Sequence, residues 1–519
     1  MKIINFISGR FRVYGLSLFT LLLFTECNDL DLQPLDAVIE ENFFNTENDF
    51  KGATLASYSS MQSLYATTAE NLFAVNEWWK LTIMTEDNVT SDPFNIDLLN
   101  YSNFRVFPTT TAFPFIYTIV YQGVHRANKV LQKLEDENEL TAEEKTQYEA
   151  EAKFLRAWFH FQSFKIWGGY APLSLAVVDD LNNAALPNST PAETISAILA
   201  DFQFAADNLP ESWDSQNTGR ATAWAATAYL GKTHLYNGDL SAAQPFFQDV
   251  YDNGPYSLMA DYASVFDYDF ENNQESIFEI QFASNSDDNG WVLDDFHTEN
   301  FKASQGYHRG ADQDTSNGSL YEPSVDYVNS SDPDDPRLST NIYREGDTYY
   351  GFGFDFVLGD ITAETGSTGY LIKKYRGENI AKMAPLNFVV DYNNERIFRF
   401  ADLILMYAET LIESDPTLAT QLINEVRLRS FPAATAVPAG LSTADLTDAL
   451  RLERRLELAF EGHRYFDLVR WGIAQETFDA LDTAEIENTW DTQTANGIFP
   501  LPQTEIDRSG GVLSQIDGL

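Results

Sequence analysis

Cysteine is almost absent: Cys27 is the only one among 519 residues. No intramolecular disulfide is possible, and no Cys-based zinc site can form. Histidine is scarce too, with six residues and no HExxH or close pair at metal-ligand spacing. No G-x-x-x-x-G-K-[ST] phosphate loop and no G-x-S-x-G nucleophile elbow occur. Positive charge is short. Lys and Arg number 33 against 78 Asp and Glu, a formal net charge of −45. Such a body repels nucleic acid and anionic lipid headgroups and suits a highly solvated surface. What the chain has in quantity is apolar, 44% hydrophobic and 14% aromatic residues. That is the composition of a folded protein, long enough for one large body or two to four smaller ones.

Long hydrophobic runs are missing as well. The one apolar stretch near the start, residues 13–24, follows Lys2, Arg10 and Arg12. It falls short of the roughly 20 residues that cross a bilayer as a helix, and it is flanked like an export signal. Directly after it stands Cys27. This order predicts a lipoprotein signal at 1–26, cut before Cys27, whose sulfur and new amine are then acylated. Glu26 stands where a small residue usually precedes the lipidated cysteine. Residues 27–45 are polar and acidic at their start and suit a tether.

Beyond the tether, helical patterns recur. Thr141 with Glu144 and Thr190 with Glu193 read as capping boxes, the second with Pro191 at the first helical position. Residues 115–135 and 143–167 read as an antiparallel helix pair closed by Gly168-Gly169. Further pairs are expected at 221–236 with the run starting at Leu240, at 399–413 with 418–430, and across Leu446 to Trp471. In the third, Ala419, Leu422, Ile423 and Val426 share one face. About four helix-turn-helix units of tetratricopeptide length therefore stack, because no single unit can bury its own apolar face. Residues 271–395 differ. They are rich in Asn, Asp, Gly, Tyr and Phe, with one alternating strand at 275–282. The fold class is mainly α, a helical-repeat scaffold carrying a loop-rich insertion. Loops on a rigid scaffold are where binding residues tend to sit. Two large regions are expected after the tether, 46–265 and 266–519.

Several strings, in order and over nearly the whole chain, resemble the SusD/RagB family of nutrient-binding outer-membrane lipoproteins of Bacteroidetes. The most specific are DDPRLSTNIY, FRFADLILMYAETLIE, ERRLELAFEGHRYFDLVRWG and IFPLPQTEID. The resemblance implies a SusD-like fold, tetratricopeptide-like units supporting an irregular ligand-binding half. It further implies a surface lipoprotein that faces outward from the outer membrane. Such a protein binds oligosaccharide and lies over a SusC-like TonB-dependent transporter. A glycan ligand, that transporter and a membrane contact through the N-terminal lipid alone are thus the expected partners. No cofactor, metal or catalytic residue is expected.

Sugar binding needs exposed rings to stack on apolar sugar faces and polar side chains for the hydroxyls. Trp158, Trp167, Trp224 and Trp471 fall in helical core patterns, which leaves Trp78, Trp79, Trp213, Trp291 and Trp490 in loops or at boundaries. Trp291, in a polar Gly-containing stretch, is the leading platform. Trp78 and Trp79 precede Asp87 and Asn88, which match a family position beside the sugar site, with Phe94 just beyond. Tyr307 and His308 complete the candidates. Glu453, Glu457, Glu461 and His463 invite an acid–base reading, but their interleaving with Arg454, Arg455 and Arg464 suits scaffold ion pairs. Asp332, Asp334 and Asp335 read as a solvated turn ahead of a calcium site. The alternatives to glycan capture are a surface glycoside hydrolase, which needs two facing carboxylates, and a protein-binding helical scaffold. The negative charge favours neutral polymers such as α- or β-glucans over sulfated or uronic ones.

Overall fold

The computed structural model describes residues 43–68, 76–91, 96–136, 138–178, 185–282, 300–303, 322–351, 354–357, 368–375, 390–391, 393–481, 494 and 496–519. Helices dominate. The first group is α1 (Glu47–Tyr65), α2 (Glu77–Thr82), α3 (Ile96–Ser102), α4 (Ala112–Leu134), α5 (Ala142–Trp167), α6 (Pro191–Asn208), α7 (Ala223–Tyr236) and α8 (Leu240–Asn253). Two one-turn helices follow, α9 (Val325–Ser330) and α10 (Pro336–Asn341). The last group is α11 (Phe400–Leu411), α12 (Pro416–Ser430), α13 (Thr443–Glu457), α14 (Arg464–Arg470), α15 (Ala474–Leu481) and α16 (Gln503–Arg508).

Local chemistry sets the ends. Thr141 Oγ1 accepts from the Glu144 N–H while Glu144 Oε2 accepts from the Thr141 N–H at 2.7 Å, so both capping-box bonds form. Thr190 and Glu193 repeat the arrangement ahead of Pro191. Gly168 ends α5 in the left-handed region at φ 61°. The long helices then stack in series, α1 on α4, α4 on α5, α5 on α6 and α6 on α7. The series continues from α7 to α8, from α8 to α11, and through α12 to α13. Small residues permit the close approaches. A Cβ on Gly123 of α4 would collide with the Phe159 ring of α5, and one on Gly231 would lie 2.6 Å from Phe247. The mainly helical repeat scaffold expected from the sequence is the scaffold found.

One stretch departs from simple periodicity. The segment Leu446 to Trp471 is broken between α13 and α14, where Phe460 (φ 64°) and Gly462 (φ 72°) both take left-handed backbone. Phe460 is fully buried, edge-on to Tyr327 at 4.9 Å, so packing holds a conformation that costs a non-glycine residue energy.

The described strands are short: β1 (Ala66–Thr68), β2 (Val89–Thr90), β3 (Ser276–Ile280), β4 (Asn300–Ala303), β5 (Glu322–Pro323), β6 (Ile342–Tyr343), β7 (Thr348–Gly351), β8 (Phe354–Val357), β9 (Leu371–Ile372), β10 (Val390–Asp391) and β11 (Glu395–Arg399). All pairings among them are antiparallel, with β4 between β1 and β10, and β3 with β11. The β3–β11 pair knits the two helical groups together. Phe278 and Phe398 meet Tyr229 of α7 at 6.4 and 5.3 Å, and Tyr229 stacks on Phe202 of α6 at 5.1 Å. Such ring pairs add directional preference to the area they bury.

Candidate functional site

Two ladders gather widely separated chain at the base of the loop-rich region. Val89 pairs with Pro323 and Thr90 with Glu322, so the chain leaving β2 lies beside the chain entering β5. Ala66 pairs with Lys302, which also pairs with Asp391. In the first ladder the end of β2 meets the start of β5, and in the second Ala303 meets Val390 and Thr68 meets Asn300. Phe94, Trp291, Tyr307 and His308, four of the expected sugar contacts, lie outside the described residues, as do Trp490 and the lipidation candidate Cys27.

Beneath this base, the turn before β2 is clamped by charge. Asp87 accepts two bonds from Arg464, Nε at 2.7 Å and Nη2 at 2.8 Å, with Arg455 3.2 Å away. Burial alone would push the Asp87 carboxyl up, but Arg464 and Arg455 outweigh it and hold it below its ordinary value. Asn88 Oδ1 accepts from Arg455 Nε at 2.7 Å, and its backbone carbonyl accepts from Ser324 N at 2.8 Å. Asp87 and Asn88 are 3% and 0% exposed. Expected as sugar contacts, they are placed by the structure as the tie between this turn and α13, α14 and α9.

Trp78 and Trp79 are corrected in the same sense. They are 4% and 1% exposed and meet Tyr65 edge-on at 6.2 and 6.5 Å. The Asn76 side chain caps α2 by accepting from both their N–H groups, which turns the rings inward. The cavity they border, with Lys165, Lys232 and His463, has a volume of about 30 Å³. That holds a single water and no sugar ring. Lys165 Nζ sits 4.6 Å from the Phe466 centroid and 5.6 Å from that of Trp78, and burial pushes its ammonium down to about 7.

The acid–base cluster is a buried ion network. Glu457 meets Arg429 at 2.6 Å, Arg399 at 3.2 Å and Arg337 at 3.3 Å. Arg399 also reaches Glu275 at 2.6 Å and Glu461 at 2.7 Å, and Lys374 reaches Glu461 at 2.6 Å. Burial pushes the Glu457 carboxyl up, but the three arginines outweigh it and hold it well below the usual range. Burial pushes His463 down to about 3, so the ring is neutral. Among the described residues, every carboxylate with a resolved shift is lowered. A glycosidase general acid needs the opposite. The scaffold reading of these residues fits, with one difference: Glu453 and Glu457 pair with arginines of other elements and not with their own helix. Asp335 caps α10 and holds Arg337 at 2.8 Å, which commits it to structure.

Sequence reasoning did not find Arg337, Arg399, Glu275 or Lys374 as members of the network. Each comes from a different segment, and no local pattern pairs them. It also grouped Trp224 with the core, whereas the structure leaves that ring half-buried.

Comparison with known proteins gives a consistent picture. A family model described as SusD family matches residues 274–518, and one described as "Starch-binding associating with outer membrane" matches residues 42–235. SusD-like protein P25 of Formosa agariphila is 25% identical over 494 residues, covering 91% of this chain and 92% of that protein. A SusD-like protein of Bacteroides ovatus is 26% identical over 483 residues, covering 87% and 81%. Among solved structures, a laminarin binding SusD-like protein matches with a TM-score of 0.71 at 24% identity, over 92% of this chain and 100% of that one. Surface glycan-binding protein A from Bacteroides thetaiotaomicron, in complex with laminarihexaose, matches with a TM-score of 0.71 at 21% identity, over 90% and 99%.

Proposed function

We propose a glycan-capturing role at the cell surface for this chain, which belongs to the SusD/RagB family. It binds an oligo- or polysaccharide and hands it to a partner SusC-like TonB-dependent transporter. It is held to the outer membrane, facing outward, by lipid on Cys27. No described helix is long and apolar enough to cross a membrane. The observation that carries the reading is the shared fold, over nine-tenths of the chain, with a laminarin binding SusD-like protein and with a surface glycan-binding protein solved with laminarihexaose. A neutral glucan fits both those ligands and the net charge of −45.

Trp291 is the proposed main platform, with Phe94, Tyr307 and His308 beside it. Calorimetry with laminarihexaose and laminarin tests the reading. Trp291→Ala weakens binding by roughly 5- to 150-fold, as expected from about 1–3 kcal/mol of ring burial, while the melting temperature holds. Release of reducing ends from either glycan by the wild type would overturn binding in favour of hydrolysis. Cys27→Ala abolishes palmitate labelling and frees the protein from the membrane; normal labelling of that variant would sink the anchor.

A further inference from the structure

A second place on the described scaffold has the chemistry of a sugar subsite. It is an open cleft of about 280 Å³ between the loop joining α6 to α7 and the segment that leads into β3. Trp213, Arg220, Tyr256, Gln274, Glu211 and Ser212 are among the residues that line it. The volume lies just below the range of about 300–1,000 Å³ that holds drug-sized ligands, so one or two sugar rings are the largest occupant it suits.

The ring is fixed before any ligand arrives. Trp213 Nε1 donates to the Ala221 carbonyl at 2.8 Å, and the Arg220 guanidinium lies 4.2 Å from the ring centroid. Arg220 is itself immobilised. Its Nε donates to Glu151 at 2.8 Å, its Nη2 donates to the same carboxylate, and its Nη1 donates to Asn217 at 2.8 Å. With that cation against one side, what the half-buried indole leaves exposed borders the cleft. A sugar's apolar face needs such a preorganised ring, because no side-chain entropy is then lost on binding.

The polar lining separates into engaged and free groups. Asn272 and Gln281 exchange hydrogen bonds at 2.8 and 2.9 Å, and Glu279 accepts from Asn272 N and Ser276 Oγ. Asn273 accepts from Glu275 N and donates to the Phe270 carbonyl. Gln274 donates to the Leu258 carbonyl at 2.9 Å, and its Oε1 has no partner among the described residues. Glu211 and Ser212 are exposed and carry no side-chain bond among them. The free groups are thus two acceptors and a hydroxyl. The one cation is occupied by Glu151. That set receives hydroxyl donors and offers nothing to a sulfate or a uronate.

We propose that this cleft is a second carbohydrate subsite, with Trp213 as its platform and Glu211, Ser212 and Gln274 as hydroxyl partners, selective for neutral sugars. Its residues are distinct from those proposed above as the main site, and the choice of glucan as ligand rests on that reading. Two subsites on one body raise affinity for a polymer without raising it for a short fragment.

The protein labelled with 5-fluorotryptophan gives one fluorine resonance per tryptophan, and Trp213→Phe assigns the one of interest. Laminarihexaose and then laminarin are titrated in. The Trp213 resonance moves in the wild type and still moves in Trp291→Ala. Gln274→Ala, an exposed change that leaves the platform in place, reduces that movement. Trp213→Ala lowers retention in laminarin gels by on the order of tenfold, with calorimetric affinity for laminarihexaose at the main site unchanged. If other tryptophan resonances respond and that of Trp213 stays still, the subsite is overturned and glycan capture stands. If no resonance responds to either glucan, both readings fall.

Discussion

The contact between α4 and α5 and the junction around Glu457 are both fully buried, and they are held by opposite means. At the first, Phe159 packs against Gly123 within an apolar core that includes Val120 and Val124, and a charged contact crosses the pair where Arg156 Nη1 donates to Asn128 Oδ1 at 2.9 Å. At the second, Arg337, Arg399 and Arg429 close on Glu275, Glu453, Glu457 and Glu461. Apolar area is non-directional and tolerates small adjustments. A buried charge cluster needs every partner in place, since removing one leaves the rest desolvated and unpaired. The difference teaches where each half is vulnerable: the helical stack to changes of volume, the C-terminal motif to changes of charge.

The largest effect expected is at the charged junction. Glu457→Ala leaves three arginines partly uncompensated and costs about 3–5 kcal/mol in a denaturant melt. Its loss should exceed that of any single methylene deletion in α4 or α5. A Glu457→Ala variant as stable as wild type would erase the comparison, because the junction would then be held by area as well.

Acid sharpens the contrast from inside the stack. Burial pushes His160, 2% exposed, down to about 4, the nearby Arg156 charge adds to this, and the Ser174 carbonyl 3.1 Å away opposes it. A depressed pKa contributes stability that is present above the unfolded value of about 6.5 and is lost as pH falls toward 4. Carboxylates in the unfolded chain begin to take up protons about one unit above their ordinary values, near pH 5.3. Between pH 6.5 and about 5.5 the slope therefore belongs to buried histidines, His463 included. His160→Gln should flatten the plot of stability against pH by about 1.4 kcal/mol per unit in that window. An unchanged slope would mean that His160 takes up its proton in the folded protein as readily as in the unfolded chain.

Volume is tested next. Gly123→Ala drives a methyl into the Phe159 ring and should cost about 1–3 kcal/mol, independent of pH and salt. A cost that varied with pH would mean that the added methyl also disturbs the Arg156–Asn128 contact further along α4 and α5.

These two regions also differ in how they could be read from residues alone. The stack was legible because its signals are local: Thr141 three residues before Glu144, Pro191 after Thr190, Gly168 after the last turn. The junction was legible only as a charged motif. Arg464 and Asp87 are 377 positions apart, and nothing at either position names the other. The rings of Trp78 and Trp79 misled for a related reason. A tryptophan after a loop looks available until Asn76 is seen capping the short helix that turns both rings inward. At the candidate site, the acidic Asp87-Asn88 turn was found by position and given the wrong task, because its arginine partners arrive from the far end of the chain. The Trp213 cleft was missed because the ring and the wall that faces it come from segments some 60 residues apart, Trp213 and Gln274, although Glu211 and Ser212 adjoin the ring in sequence.

The smallest effect isolates burial from chemistry. Arg508 and Glu505 form an ion pair at 2.6 Å, about as short as that of Arg429 with Glu457, but the Arg508 side chain is 73% exposed. Water already solvates the Arg508 guanidinium there, and fixing two long side chains offsets most of the Coulomb gain. Arg508→Ala should therefore change stability by less than about 0.5 kcal/mol, and the change should vanish in high salt, where exposed pairs are screened. Measured in the same denaturant series as Glu457→Ala, the variant deletes one exposed-cation pair where the other deletes three buried ones. A loss above about 1 kcal/mol for Arg508→Ala would show that α16 is held by its charge and not by the Ile506 and Leu513 contacts around it. A near-zero loss beside a large one at Glu457 assigns the cost at the junction to desolvated partners and not to the attraction of opposite charges.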